Sequence, residues 1–164
     1  MSDRSELIEL HNRLSKTLDE ERGAAREKRY EKGYRTAREN LDDLVDKDSF
    51  VEYGQLAIAA QKSRRELEEL RTETAADGII TGFGKINSEF LDDKKALSAI
   101  IINDYSVLAG TQGYYHHKKL DRICETAEKQ NLPVVMYTEG GGGRPGDTDV
   151  HVQFAGLNLS LIHI

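Results

Sequence analysis

Glu139-Gly140-Gly141-Gly142-Gly143-Arg144-Pro145-Gly146-Asp147 follows directly on the apolar run Pro133-Val134-Val135-Met136-Tyr137. The run has strand character, and packing does not explain what comes after it. Four consecutive glycines have no side chains to bury, cost backbone entropy on ordering, and allow positive φ and close approach of the main chain to a ligand. A strand opening into such a loop leaves backbone N–H groups free to face an anion or a developing oxyanion. A flexible surface loop explains the same glycines, and the stretch alone leaves both readings open.

Two phosphate motifs fail. A Walker A loop ends in Gly-Lys-Ser/Thr, whereas these glycines end in Arg144-Pro145. A Rossmann fingerprint starts well at Gly82-Phe83-Gly84 but has Asn87 where its third glycine belongs.

Upstream, residues 115–130 read as a helix leading into the strand at Val134. Ala96-Leu97-Ser98-Ala99-Ile100-Ile101-Ile102-Asn103 is a continuous apolar run, the pattern of a strand covered on both faces. Gly78 to Ile86 is a second strand candidate, and Ser49-Phe50-Val51-Glu52-Tyr53 alternates like a half-buried one. Strand, helix, strand and glycine loop form an α/β unit whose ligand belongs beyond the carboxyl end of the strand.

The first third is helical. Leu7, Leu10, Leu14 and Leu18 form one apolar stripe. From Arg22 to Arg38 the chain turns cationic through Arg22, Arg26, Lys28, Arg29, Lys32, Arg35 and Arg38. A solvated face balanced by Glu21, Glu27 and Glu31 is the favoured reading, and a landing site for a polyphosphate ligand is the functional one. Thr36 to Val45 fits a short helix, with Thr36 and Glu39 spaced as a capping box. Residues 62–73 read as a charged, exposed helix.

The 164 residues suit one ordinary domain, 38% hydrophobic and 32% charged. A net charge of −6 disfavours nucleic acid as partner. No apolar run approaches the roughly 20 residues of a membrane span. The acidic N-terminus is unlike a signal peptide. Cys124 is the single cysteine, which excludes an intrachain disulfide scaffold and structural zinc, and reads as a small buried hydrophobe. These features predict a cytoplasmic protein with no membrane partner. Leu159-Ser160-Leu161-Ile162-His163-Ile164 matches the translation of a sequencing-library adapter, so residues 159–164 are expected to be a non-native tail.

Four segments together resemble the N-terminal part of the carboxyltransferase domain (beta subunit) of biotin-dependent acyl-CoA carboxylases. They are Arg35-Thr36-Ala37-Arg38-Glu39-Asn40-Leu41 running to Asp48-Ser49-Phe50-Val51-Glu52; Asp77-Gly78-Ile79-Ile80-Thr81-Gly82-Phe83-Gly84-Lys85-Ile86; Asp104 through Gly110-Thr111-Gln112-Gly113 to His116; and Pro133-Val134-Val135 through Arg144. Each is weakly specific alone, and their order and spacing make the set specific. The chain departs from the family's pattern at Asn40, where a second arginine is usual, and at Ala109, where glycine is common. Glu139-Gly140-Gly141-Gly142-Gly143-Arg144 stands for the family's Asp-Ser-Gly-Gly-Ala-Arg.

The resemblance implies a crotonase-like α/β fold of stacked ββα turns, incomplete over 48–158 and preceded by an N-terminal helical segment over 1–47. It also implies an acyl-CoA substrate, and biotin carried on a separate domain as the source of the carboxyl group. Partners would be the biotin carboxyl carrier and biotin carboxylase components, in a homo-oligomer of the full-length protein. In that chemistry carboxybiotin releases carbon dioxide and its ureido nitrogen removes the α-proton. The enolate then attacks carbon dioxide. Backbone N–H groups hold the enolate oxygen, so Gly142 and Gly143 are the expected donors, with Gly141 next. A donor lost from such a site can cost about 3 kcal/mol of barrier. Gly140, Arg144, Gly110, Gly113, His116, Arg35 and Arg38 are the expected substrate-binding residues, with Arg144 more an anchor than a phosphate ligand.

No metal site is expected: His116 and His117 are adjacent, point apart on a helix and lack a third ligand at fitting spacing. Asp104 and Asp147 read better as loop caps than as a catalytic pair. A decarboxylase subunit running the transfer in reverse is the nearest alternative. A non-catalytic helical interaction module is another, favoured by the leucine stripe and disfavoured by the glycine loop.

Overall fold

The computed structural model describes residues 3–150. Residues 1–2 and 151–164, including the expected adapter tail at 159–164, lie outside the described residues. Among the described residues there are six α-helices, α1 (Asp3–Ser15), α2 (Gly23–Tyr30), α3 (Ala37–Leu44), α4 (Leu67–Glu73), α5 (Asp93–Ala96) and α6 (Tyr114–Gln130), and four strands, β1 (Val51–Glu52), β2 (Ile79–Lys85), β3 (Leu97–Asn103) and β4 (Val134–Tyr137).

The strands form one mixed sheet in the order β1-β2-β3-β4. β1 and β3 run antiparallel to β2, whereas β4 runs parallel to β3 with Ala99 opposite Val134. A parallel pair requires a crossover, and α6 is that crossover. The apolar run of β3 is covered on both faces, as its pattern predicts. Ala99 and Ile101 pack with Ile79 of β2 against Leu120, Ile123 and Ala127 of α6. Ile100 and Ile102 pack with Ile80 against Ala37 and Leu41 of α3. Three of the residues that α6 buries recur at three- and four-residue spacing, one stripe of an amphipathic helix. Asn131 ends it in the left-handed conformation, with Pro133 just beyond. The capping box of α3 forms: Glu39 N–H donates to Thr36 Oγ1 at 3.1 Å and Thr36 N–H to Glu39 Oε2 at 2.8 Å.

Of the leucine stripe, Leu7 is 51% and Leu10 40% exposed. Two expectations need correction. The charged stretch 62–73 is helical only from Leu67, because the N–H groups of Lys62 and Ser63 donate to the Asp149 carboxylate instead; Leu70 is fully buried. The cationic run is not simply a solvated face. Arg22 donates to Asp104 and Ser106 at 2.7 and 2.9 Å, and Arg29 is buried against the glycine loop.

Between α4 and β2 the backbone turns left-handed at Ala76, Asp77 and Gly78, with φ of 52°, 50° and 74°. Lys119 of α6 holds this turn from below. Its buried Nζ donates to the Ala76 carbonyl at 2.9 Å and to the Ile79 carbonyl, and burial pushes its pKa down to about 8. The turn presents the Asp77 carboxylate toward the glycine loop.

Candidate active site

β4 delivers the chain into the loop at Thr138, and three contacts then fix its path. First, Gly140 lies against Gly110. A Cβ on Gly140 would fall on the Gly110 carbonyl oxygen, and a Cβ on Gly110 would come within 2.5 Å of the Glu139 carbonyl. Both have positive φ, so glycine is required twice over. Second, Gln112 bridges the loop: its N–H donates to Gly142 O at 2.8 Å and its carbonyl accepts from Arg144 N–H at 2.8 Å. Third, the Arg144 side chain is buried, donating to the Asp77 carboxylate and, at 2.7 Å, to the Thr111 carbonyl.

Arg144 is therefore an anchor. Asp147 completes the knot by accepting from Gln61 Nε2 at 3.0 Å and from Tyr114 N–H at 2.7 Å. Burial pushes the Asp77 carboxyl up, and the Arg144 guanidinium pulls it back toward the charged form. Gly113 makes room for that guanidinium, because a Cβ there would fall on it. His116 belongs to the same knot. Its N–H donates to Asp77 at 2.7 Å, and its Nδ1 lies 3.2 Å from the Asp77 carbonyl oxygen, which can only accept. Burial first of all lowers its pKa to about 3, so the ring is neutral. Asp104 and Asp147 do not form a pair: the first takes Arg22, the second caps α6.

With both flanks pinned, the glycines between them are exposed. The N–H groups of Gly141, Gly142 and Gly143 find no acceptor among the described residues. A Cβ on Gly142 or Gly143 would meet open space. Beside them a cavity of about 200 Å³ is lined by Asn103, Gly110, Gln112, Met136, Thr138, Glu139, Gly140 and Gly142. A larger cleft of about 700 Å³ opens on the other side of Glu139, between α2 and the turn at Ala109. Arg22, Lys28, Arg29 and Lys32 line it with the rings of Tyr34 and Tyr105. Arg29 forks onto Glu139, with Nη1–Oε1 at 2.7 Å and Nη2–Oε2 at 2.9 Å. Lys28 and Lys32 are exposed and form no ion pair among the described residues.

Of the sequence-derived binding residues, Gly110, Gly140 and Gly142 line the smaller cavity. Arg35 and Arg38 line neither space. Arg35 pairs with exposed Asp43, while Arg38 is largely buried against Glu52. The sequence reading missed Asp77, Arg29 as the partner of Glu139, and Asn103. The one available signal was for Asn103, a polar side chain ending an apolar strand where α/β folds place ligands. Among the described residues no group of acidic, histidine or cysteine side chains is arranged to hold a metal ion.

The sheet, its crossover helix and the pinned loop place the chain among α/β proteins of the crotonase-like class. Residues 28–157 match the family model described as "Carboxyl transferase domain", and the chain belongs to that family. It is similar to the beta5 subunit of a biotin-dependent acetyl-/propionyl-coenzyme A carboxylase of Mycobacterium leprae, with 34% identity over 139 residues, 84% of this chain and 23% of the relative. The methylmalonyl-CoA decarboxylase alpha subunit of Veillonella parvula is 31% identical over 136 residues, covering 82% of this chain and 25% of that protein. Among solved structures, a single-chain, multi-domain long-chain acyl-CoA carboxylase superposes with a TM-score of 0.84 at 52% identity, over 87% of this chain and 14% of the other. The chain thus spans about a quarter or less of the length of these relatives.

Proposed function

We propose that this chain supplies the acyl-CoA half of a carboxyltransferase site, within a biotin-dependent acyl-CoA carboxylase. The observation that carries the reading is the run of exposed N–H groups without an acceptor among the described residues at Gly141, Gly142 and Gly143, on a loop held by Gly110, Gln112 and Arg144. Such donors, fixed before charge develops, stabilise an oxyanion without reorganisation, and no side-chain base is needed from this chain. Gly142 and Gly143 hold the thioester oxygen as the α-proton leaves, with Gly141 next in line. Biotin, on a carrier outside this segment, supplies the carboxyl group.

The acyl-pantetheine arm enters the smaller cavity and the nucleotide end of CoA lies over the larger cleft. The two spaces meet at Glu139, which lines both. Lys28 and Lys32 then face the phosphates, as the unpaired cations of the cleft. Carboxylation is favoured over decarboxylation by the 52% identity to a carboxylase.

Amide hydrogen exchange with and without acetyl-CoA tests the reading. The Gly140–Gly143 amides gain protection on binding, and unchanged exchange at saturating ligand sinks it. The 164-residue chain given malonyl-CoA as carboxyl donor and free biotin as acceptor, the transfer run in reverse, shows no carboxyl transfer; measurable turnover would refute the division of labour.

A further inference from the structure

Asn103 ends β3 on the face that carries Ala99 and Ile101, where the two preceding residues are apolar core. It is 6% exposed. Its Oδ1 is buried and accepts no hydrogen bond, and the carboxamide has no partner among the described residues. A buried polar group left unpaired destabilises a fold, and a leucine of similar shape would remove that cost. Asn103 also lines the cavity bordered by Gly110, Gly140 and Gly142, and its Nδ2, a donor with no partner among the described residues, is not sealed off as the Oδ1 is. Asn103 therefore brings a polar group to the ligand space that the protein's own packing does not use.

We infer that Asn103 contacts the substrate, its side-chain amide donating a hydrogen bond to the carbonyl oxygen of the acyl thioester beside the glycine-loop N–H groups. This rests on the acyl-CoA reading of the loop and extends it from backbone donors to a side chain. An amide N–H suits a carbonyl because it donates without carrying charge. It aids a thioester oxygen and leaves the neutral acyl chain unopposed. The two donor types differ in consequence: backbone N–H groups survive almost any substitution, whereas the carboxamide can be deleted by one.

The pantetheine arm carries amide carbonyls too, and binding to acetyl-CoA and to free CoA separates the sources. Both ligands contain pantetheine, and acetyl-CoA alone has the thioester carbonyl. Equilibrium binding of each to the 164-residue chain, to Asn103→Leu and to Asn103→Asp is the measurement, with a thermal melt of every protein. The expected result is acetyl-CoA bound about three- to tenfold more weakly by Asn103→Leu, the range for one lost hydrogen bond. CoA affinity stays within twofold of the original. The carboxylate of Asn103→Asp repels the same oxygen and weakens acetyl-CoA further. Asn103→Leu also melts no lower than the unsubstituted chain, since it removes an unsatisfied polar atom. Equal loss for both ligands moves the contact to the pantetheine amide and overturns the inference. Unchanged acetyl-CoA affinity in Asn103→Leu, or a lower melting point with ligand binding intact, overturns it in favour of a structural asparagine. If the unsubstituted chain binds neither ligand, the acyl-CoA reading fails with it.

Discussion

The Arg29 guanidinium grips both carboxylate oxygens of Glu139, joining α2 to the first residue of the glycine loop across 110 positions of sequence. Its remaining Nε–H donates to the Arg35 carbonyl at 3.0 Å, and its Cζ lies 5.1 Å from the Tyr34 ring centroid. A fork of this kind fixes direction as well as distance. Arg29→Met should loosen the start of the loop without unfolding the sheet. The expected outcome is faster amide exchange at Gly140 and Gly141 and a loss of about 1–3 kcal/mol in denaturant unfolding. Arg29→Lys should recover little, because an ammonium cannot bind both oxygens in one plane.

Gly140 and Gly143 are one loop apart and should behave oppositely. Gly140→Ala drives a methyl into the Gly110 carbonyl and should destabilise the chain. Gly143→Ala meets open space, so its melting point should stay close to that of the unsubstituted chain. Acyl-CoA binding should hold as well, because alanine is the family's usual residue at this position and its methyl leaves the N–H in place. Equal melting losses in both variants would show that the loop is packed and not presented.

Removing Arg144 should be the most damaging single change near the site. Arg144→Met leaves the fully buried Asp77 carboxylate without its cation, and truncating one member of a buried ion pair costs about 3–5 kcal/mol. Asp77→Asn combined with Arg144→Met should unfold less readily than Arg144→Met alone, since the stranded charge is gone. Denaturant curves of the two variants decide the matter.

His116 gives the fold an acid-sensitive point. Its folded-state pKa is about 3, whereas an unfolded histidine titrates near its ordinary value of 6.5. Between those values the unfolded chain binds a proton that the folded one refuses, so stability falls as pH drops. The slope is about 1.4 kcal/mol per pH unit for one such group. His116→Gln should flatten the stability profile between pH 6.5 and 3, measured as unfolding midpoint against pH. An unchanged slope would assign the acid sensitivity to other groups.

Much of the scaffold is written locally. The apolar run of β3, the helical period of α6 and the Thr36–Glu39 spacing each specify a structure within a few residues, and each formed. The site itself depends on distant pairings. Nothing near Arg29 announces Glu139, and nothing near Arg144 announces Asp77. The left-handed turn that aims Asp77 carries alanine and aspartate at φ of 52° and 50°, so no glycine marks it before Gly78. Ala109 is a related case. It holds φ of 55° where the family's usual glycine would fit without strain. The glycine loop could be singled out as a candidate oxyanion loop because main-chain chemistry asks only for glycine. The side chains that orient it were not.

The abutment of Gly110 and Gly140 also limits how the gene can change. Two main chains meet there, so a Cβ at either codon needs the backbone itself to move, and the serine usual in the family at position 140 does not fit this loop path. Gly143, facing open space, takes the family's alanine as it stands. Random mutagenesis scored first for folding and then for acyl-CoA binding would therefore sort the four consecutive glycines into those this loop path requires and those it does not.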